Sequence, residues 1–137
     1  MLRESVNPWE WGLARSLDQA VVVTGATRQL RCSGQVSMRP DPDAPDGLAV
    51  IAAGDMRGQI EVSLANVDAI LWKARMRREH VVGLRFHTTD VEAFLDNYDV
   101  YTQWIAPAGI RPTQTVLGVE RLVRPELLVS IEADAVD

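Results

Sequence analysis

Hydrophobic residues recur along the chain at two periods, and together they lay out an alternation of strands and helices. From Val81 to Thr88 the sequence alternates, with Val82, Leu84 and Phe86 on one face and Arg85 and His87 on the other. A period of two with one apolar face describes a strand packed on one side only. The polar face is a candidate interface or pocket wall. Leu30 and Cys32 alternate in the same way against Gln29 and Arg31, until Gly34 breaks the pattern. A second extended run covers Gln19 to Val23, and Thr24-Gly25-Ala26-Thr27 between the two predicts a β-hairpin.

The helical period appears twice. Ile60, Leu64, Val67 and Leu71 recur at spacings of four, three and four after a start signal at Gly54-Asp55, which predicts a helix over about residues 55–76. Its last turn carries Lys73, Arg75, Arg77 and Arg78, cations that complement the negative end of the helix dipole. Thr89-Asp90-Val91-Glu92 has the Thr-x-x-Glu spacing of a capping box. Val91, Phe94 or Leu95, Tyr98, Tyr101 and Ile105 then predict a second helix of about 14 residues, closed by Ala106-Pro107-Ala108-Gly109. Two further strands are expected at about 113–121 and 127–135, across a turn near Arg124-Pro125. The proline-rich stretch 39–47 suits an exposed loop, because proline fixes φ and lacks a ladder donor. The resulting order β-β-α-β-α-β-β implies an α+β layer with two helices on one face of a mixed sheet.

Composition narrows what such a layer can do. The chain has 137 residues, 47% hydrophobic, enough for one domain with its own core. Its 14 Lys+Arg against 19 Asp+Glu give a net charge of −5, which argues against a phosphate-tracking nucleic-acid partner. Cys32 is the only cysteine, so no intrachain disulfide forms and a reducing, cytoplasmic setting is expected. No run approaches the roughly 18 apolar residues that cross a bilayer, and no membrane partner is expected.

Candidate chemistry is sparse. His80, His87 and Cys32 do not share a metal-ligand spacing, and no glycine-rich phosphate loop is present, so neither metal nor cofactor is implied. Cys32 sits on the apolar face of its strand and reads as core rather than as a nucleophile. His87 beside Arg85 could serve as a general base or hold an anion, or fill an interface. Asn7-Pro8-Trp9-Glu10-Trp11 carries two tryptophans that either clamp the terminus or line a pocket.

Five segments in order carry a resemblance. Gln19-Ala20-Val21, Ser33-Gly34-Gln35-Val36, the run from Gly54-Asp55 to Asn66-Val67, Thr89 to Phe94, and Val129-Ser130-Ile131-Glu132-Ala133 resemble the RidA/YjgF family over about residues 7–135. The resemblance implies a chorismate-mutase-like fold, a homotrimer with sheets turned inward, and ligand clefts between subunits. It further implies hydrolysis of imine or enamine intermediates to 2-oxo acids and ammonia. The family's carboxylate-binding arginine falls at Gln114, within Arg111-Pro112-Thr113-Gln114-Thr115, and its water-orienting glutamate falls at Ser130. Leu17 stands where a pocket tyrosine is usual, whereas Gly34 and Phe94 match.

The implied ligand-binding set is therefore Leu17, Gly34, Arg85, Phe94, Gln114, Thr115 and Ser130, with Gln114, Ser130 and His87 as catalytic candidates. A glutamine supplies neither the charge nor the fork of an arginine. Either Arg85 or Arg111 is a candidate substitute. Two expectations follow: a trimeric binder of a small metabolite with deaminase-like activity of altered specificity, or a non-catalytic ligand-binding or partner module on the same scaffold.

Overall fold

The computed structural model describes residues 1–137. Eight strands and three α-helices follow one another as β1 (Leu2–Val6), β2 (Ala20–Thr24), β3 (Gln29–Arg31), β4 (Met38–Pro40), β5 (Leu48–Val50), α1 (Met56–Lys73), β6 (Val81–Thr88), α2 (Val91–Asp96), α3 (Asp99–Ile105), β7 (Thr113–Gly118) and β8 (Val129–Val136). The central sheet runs β3-β8-β6-β7. It is mixed, since β6 and β7 are parallel while β8 is antiparallel to both its neighbours. The strand β6, the helices α2 and α3, and β7 form the crossover unit that a parallel pair requires.

The first helix forms as its pattern predicts. Asp55 caps it by accepting from the Gly58 amide at 3.0 Å, and Ile60, Leu64, Val67 and Leu71 are all buried. It ends in a Schellman turn: Met76 N–H donates to Leu71 O at 2.8 Å and Arg75 N–H to Trp72 O at 3.0 Å. Arg75 takes the left-handed φ of 59° that glycine usually occupies there. Two polar side chains, buried Gln59 and half-buried Asn66, hold the helix against the loops. Gln59 donates to Glu126 O and accepts from Leu128 N–H, while Asn66 donates to Val36 O at 3.0 Å.

Five expectations need correction. The runs 19–23 and 29–36 do not form a hairpin with each other; β2 pairs with β1, and β3 pairs with β8 at the far end of the chain. Residues 24–28 instead carry the chain between two sheets, fixed by Thr27 and Arg28 amides donating to Asp137 O. The stretch 39–47 is the connection of a short β4–β5 pair. The second helical segment divides into α2 and α3 around Asn97, whose side chain donates back to Ala93 O at 2.8 Å. Its cap is Asp90, which accepts from Ala93 N–H at 3.0 Å, rather than Thr89. Finally, Val82 faces away from the core, because a register shift between Val81 and Gly83 resets the alternation before Leu84.

The helices cover one face of the sheet, where Leu84, Phe86, Ile131, Ala133 and Ala135 meet α1, Phe94, Tyr101 and Ile105 in one core. Phe86 packs against both Phe94 and Tyr101, with ring centroids at 5.1 and 5.2 Å. Cys32 is buried in the same core. The opposite face carries Arg85, His87, Ser130, Glu132 and Asp134, all partly exposed. No helix is long and apolar enough to cross a membrane.

Candidate functional site

The register of the sheet sorts the candidate residues onto two faces. Gln114 lies beside Leu84 and Thr115 beside Arg85 in the parallel β6–β7 pair. Gln114 therefore shares the helix-covered side, and Arg85 and Thr115 share the open side. Arg85 is also engaged: it donates to Glu132 at 2.6 Å and to Asp134 at 2.9 Å. These two carboxylates, Asp134 first, hold its guanidinium above its ordinary pKa.

Arg111 is committed as well. Its Nε donates to Asp18 Oδ1 at 2.9 Å, and Asp18 also accepts from Ser5 Oγ at 2.5 Å and Asn7 Nδ2 at 2.9 Å. Burial alone would raise the Asp18 pKa, but these three donors outweigh it and hold the carboxyl below its ordinary value. The hub ties β1, the Asn7 turn and the entry to β7 together. Within one chain, Arg85 and Arg111 are thus both committed to carboxylates, although Arg85 and Gln114 line one groove.

Gln114 has its own partners. Tyr98 Oη donates to Arg15 O at 2.7 Å and also contacts Gln114 Oε1, while Gln114 Nε2 donates to Ser16 O at 3.3 Å. These bonds dock the short helical turn Leu13–Arg15 onto the start of β7. Burial pushes the Tyr98 phenol up to about 12, against opposing pulls from the Gln114 bond and the Arg15 charge. At neutral pH Tyr98 thus keeps its proton and acts as a donor.

Around this knot opens a cavity of about 250 Å³. Leu17, Leu95, Val116 and Trp11 form its apolar walls; Arg15, Tyr98 and Gln114 supply its polar atoms. No carboxylate or imidazole lines it. Phe94 does not reach the cavity; it is fully buried and supports Tyr98 from beneath, with centroids 6.0 Å apart. Sequence reasoning missed Arg15, Leu95, Tyr98 and Val116 here. Leu95 and Tyr98 gave a signal, as members of the second helical stripe.

The remaining candidates gather elsewhere. An isolated bridge between Gln35 and Ile131 sets Gly34 beside β8. A Cβ at Gly34 would lie 2.4 Å from Ser130 Oγ, so the two residues are in direct apposition. Ser130 faces His87 across β8 and β6. From β8 to β7 is two strand spacings, on the order of 10 Å. On one chain, therefore, Gln114 sits on the helix-covered side of edge strand β7, whereas Ser130 and His87 sit on the open side of the central strands β8 and β6, so the two groups stand on opposite faces of the sheet.

A second groove of about 530 Å³ runs between β2 and the β6–β7 strands, lined by Val21, Val82, Arg85, Gln114, Thr115 and Asp134 among others.

Comparison with known proteins converges on one group. The family model described as Endoribonuclease L-PSP matches residues 14–137. A RutC family protein of Aquifex aeolicus (strain VF5) is 29% identical over 104 residues, 76% of this chain and 75% of that protein. Among solved structures, a protein of unknown function of the conserved Rid protein family, YyfB from Yersinia pestis, superposes with a TM-score of 0.81 at 26% identity, covering 100% of both chains. TdcF of E. coli with bound serine gives a TM-score of 0.65 at 28% identity, covering 85% of this chain and 84% of that one.

Proposed function

Because the chain belongs to the Endoribonuclease L-PSP family, the group of the Rid and YjgF proteins, we propose that it works as a homotrimer binding a small metabolite in clefts between neighbouring copies. The observation that carries this is the division of the candidate residues into two groups on opposite faces of the sheet. A cleft shared by two copies unites the cavity around Gln114 with the Gly34–Ser130 corner of a neighbour. The open sheet face, with Arg85 between Glu132 and Asp134, gives the assembly its inward surface.

The chemistry proposed for that cleft is imine or enamine hydrolysis with altered specificity. Water adds to the C=N carbon, the C–N bond breaks, and a carbonyl compound and ammonia leave. The step needs a proton acceptor for the water and a donor for the departing nitrogen. Tyr98 offers the donor; a base comes only from the His87–Ser130 side of a neighbouring copy. A second reading, a binding module without catalysis, draws on the absence of any carboxylate or imidazole in the cavity lining.

RNA cleavage is no part of the proposal, given the net charge of −5. A reducing cytoplasmic setting is proposed from the lone buried Cys32, whose thiol burial pushes up in pKa. No metal or cofactor is invoked.

Sedimentation velocity tests the assembly, which should run near three times 15.2 kDa; a monomer across micromolar concentrations overturns the shared cleft. Ammonia release from freshly generated 2-iminopropionate tests the chemistry. Slow or absent turnover with this substrate, together with turnover of a different imine, supports altered specificity. No turnover of any imine selects the binding module.

A further inference from the structure

The position that would present a cation on β7 holds Gln114, and Gln114 is spent on holding down the turn that precedes β2. That same turn ends in Arg15. Its carbonyl accepts the Tyr98 hydroxyl at 2.7 Å, and Arg15 lines the cavity together with Tyr98 and Gln114. Arg15 forms no ion pair: the salt bridges of the chain engage ten cation–carboxylate contacts, and none involves it. Its charge is felt at the Tyr98 phenol across the cavity. An unpaired guanidinium beside a phenol that keeps its proton is a receptor for a planar anion, since the guanidinium fork matches a carboxylate in two parallel bonds.

The walls say what the anion is attached to. Trp11 is 64% exposed and Leu95 39% exposed, both at the cavity, and Leu17 and Val116 continue the apolar surface. An exposed tryptophan at a pocket mouth offers a flat face to an aromatic or branched hydrocarbon body. A polar pocket for a very small zwitterion would have no use for it.

We infer that Arg15, carried on the Leu13–Arg15 turn, is the cation of this cavity, and that the cavity takes a monocarboxylate with an aromatic or branched apolar body, its carboxylate on Arg15 and its body against Trp11. This deepens the metabolite-binding reading above and rests on it. The roles are divided: Gln114 positions the turn, and Arg15 meets the ligand. The anchoring of residues 15 and 16 by Tyr98 and Gln114 restricts the backbone from which Arg15 projects, which lowers the ordering cost of binding.

Matched probe pairs decide it. Phenylacetate and phenylacetamide, and indole-3-acetate and its amide, are titrated into the full-length protein and monitored by the Trp11 indole N–H signal in NMR spectra. The wild type should bind each acid about tenfold more tightly than its amide, the worth of one charge-assisted pair at a partly exposed site. Arg15→Gln should remove that preference while leaving amide binding within about twofold, and Arg15→Lys should restore part of it. The Gln variant keeps the backbone carbonyl that Tyr98 uses, and retained amide binding reports an intact pocket. Acid preference that survives in Arg15→Gln overturns the role of Arg15 and leaves the pocket reading standing, as does equal binding of acid and amide by the wild type. Failure of all four probes to shift Trp11 at millimolar concentration overturns the pocket reading itself.

Discussion

Asp18→Asn should destabilise the protein by about 2 kcal/mol at neutral pH, and the deficit should fade in acid. Asp18 is 2% exposed and accepts from three donors, Ser5 Oγ, Asn7 Nδ2 and Arg111 Nε. Hydrogen bonds to a charged group contribute about 1.5–3 kcal/mol, against about 1 for neutral pairs, so three bonds that lose the charge forfeit roughly 0.5–1 kcal/mol each. The amide keeps Oδ1 for Asn7 and Arg111, while the Ser5 hydroxyl reverses to accept from the new NH₂. For a chain of 137 residues this corresponds to a fall of about 6–8 °C in Tm.

The pH dependence has a definite sign. The folded-state pKa of Asp18 lies below its ordinary value, so its contribution is fully present above about 3.9 and is lost as pH falls through the lower folded value. Wild type and Asp18→Asn should differ by a constant amount above pH 5 and converge towards pH 3. The assay is thermal or urea unfolding from pH 3 to 7 at fixed protomer concentration, because association shifts apparent stability. A neutral-pH deficit under about 0.5 kcal/mol, or one undiminished at pH 3, refutes the assignment of the hub.

Gln59→Leu should cost about 3 kcal/mol, since it strips partners from the Leu128 amide and the Glu126 carbonyl at once; hydrogen exchange at Leu128 should accelerate, and unchanged protection refutes the clamp. Gly34→Ala should weaken metabolite-probe binding by forcing Ser130 Oγ from its place, and Ser130→Gly in the same chain should restore it, which titration of the double variant measures. Arg75→Gly should stabilise by about 0.5–1 kcal/mol, because glycine adopts the left-handed φ of 59° without steric cost; chemical denaturation reads this directly, and a loss of stability contradicts the Schellman assignment.

The parts of the fold that the sequence announces are those whose signal is local. The stripe Ile60, Leu64, Val67 and Leu71 and the cap at Asp55 both lie within a few turns of each other, and α1 forms where they place it. Pairing partners are different in kind. Gln29–Arg31 meets Asp134–Val136 more than a hundred residues away, and nothing in the run 19–36 distinguishes that partner from its near neighbour. The first strand, Leu2–Val6, carries exposed Leu2, Glu4 and Ser5 and so lacks the alternation that would mark it. At Val82, one irregular register step was enough to move a valine to the opposite face.

Of the candidate ligand-binding residues read from the sequence, Leu17 and Gln114 line one cavity, and Arg15 beside them carried no signal. Matching residue for residue finds Gln114 and reads it as a lost charge. That conclusion holds only for the strand, because a site is defined by what converges in space. The turn at 13–15 has no regular period and no motif, yet three side-chain to backbone contacts from Tyr98 and Gln114 pin its end at the cavity. Gln114 anchors the backbone from which Arg15 projects, so the proposed role of Arg15 makes the two positions one unit. If that coupling is real, Gln114→Ala should loosen Arg15 as well as remove an amide, and acid preference should fall more steeply than amide binding. Equal losses for acid and amide would show that Gln114 meets the ligand directly and that the two positions act independently.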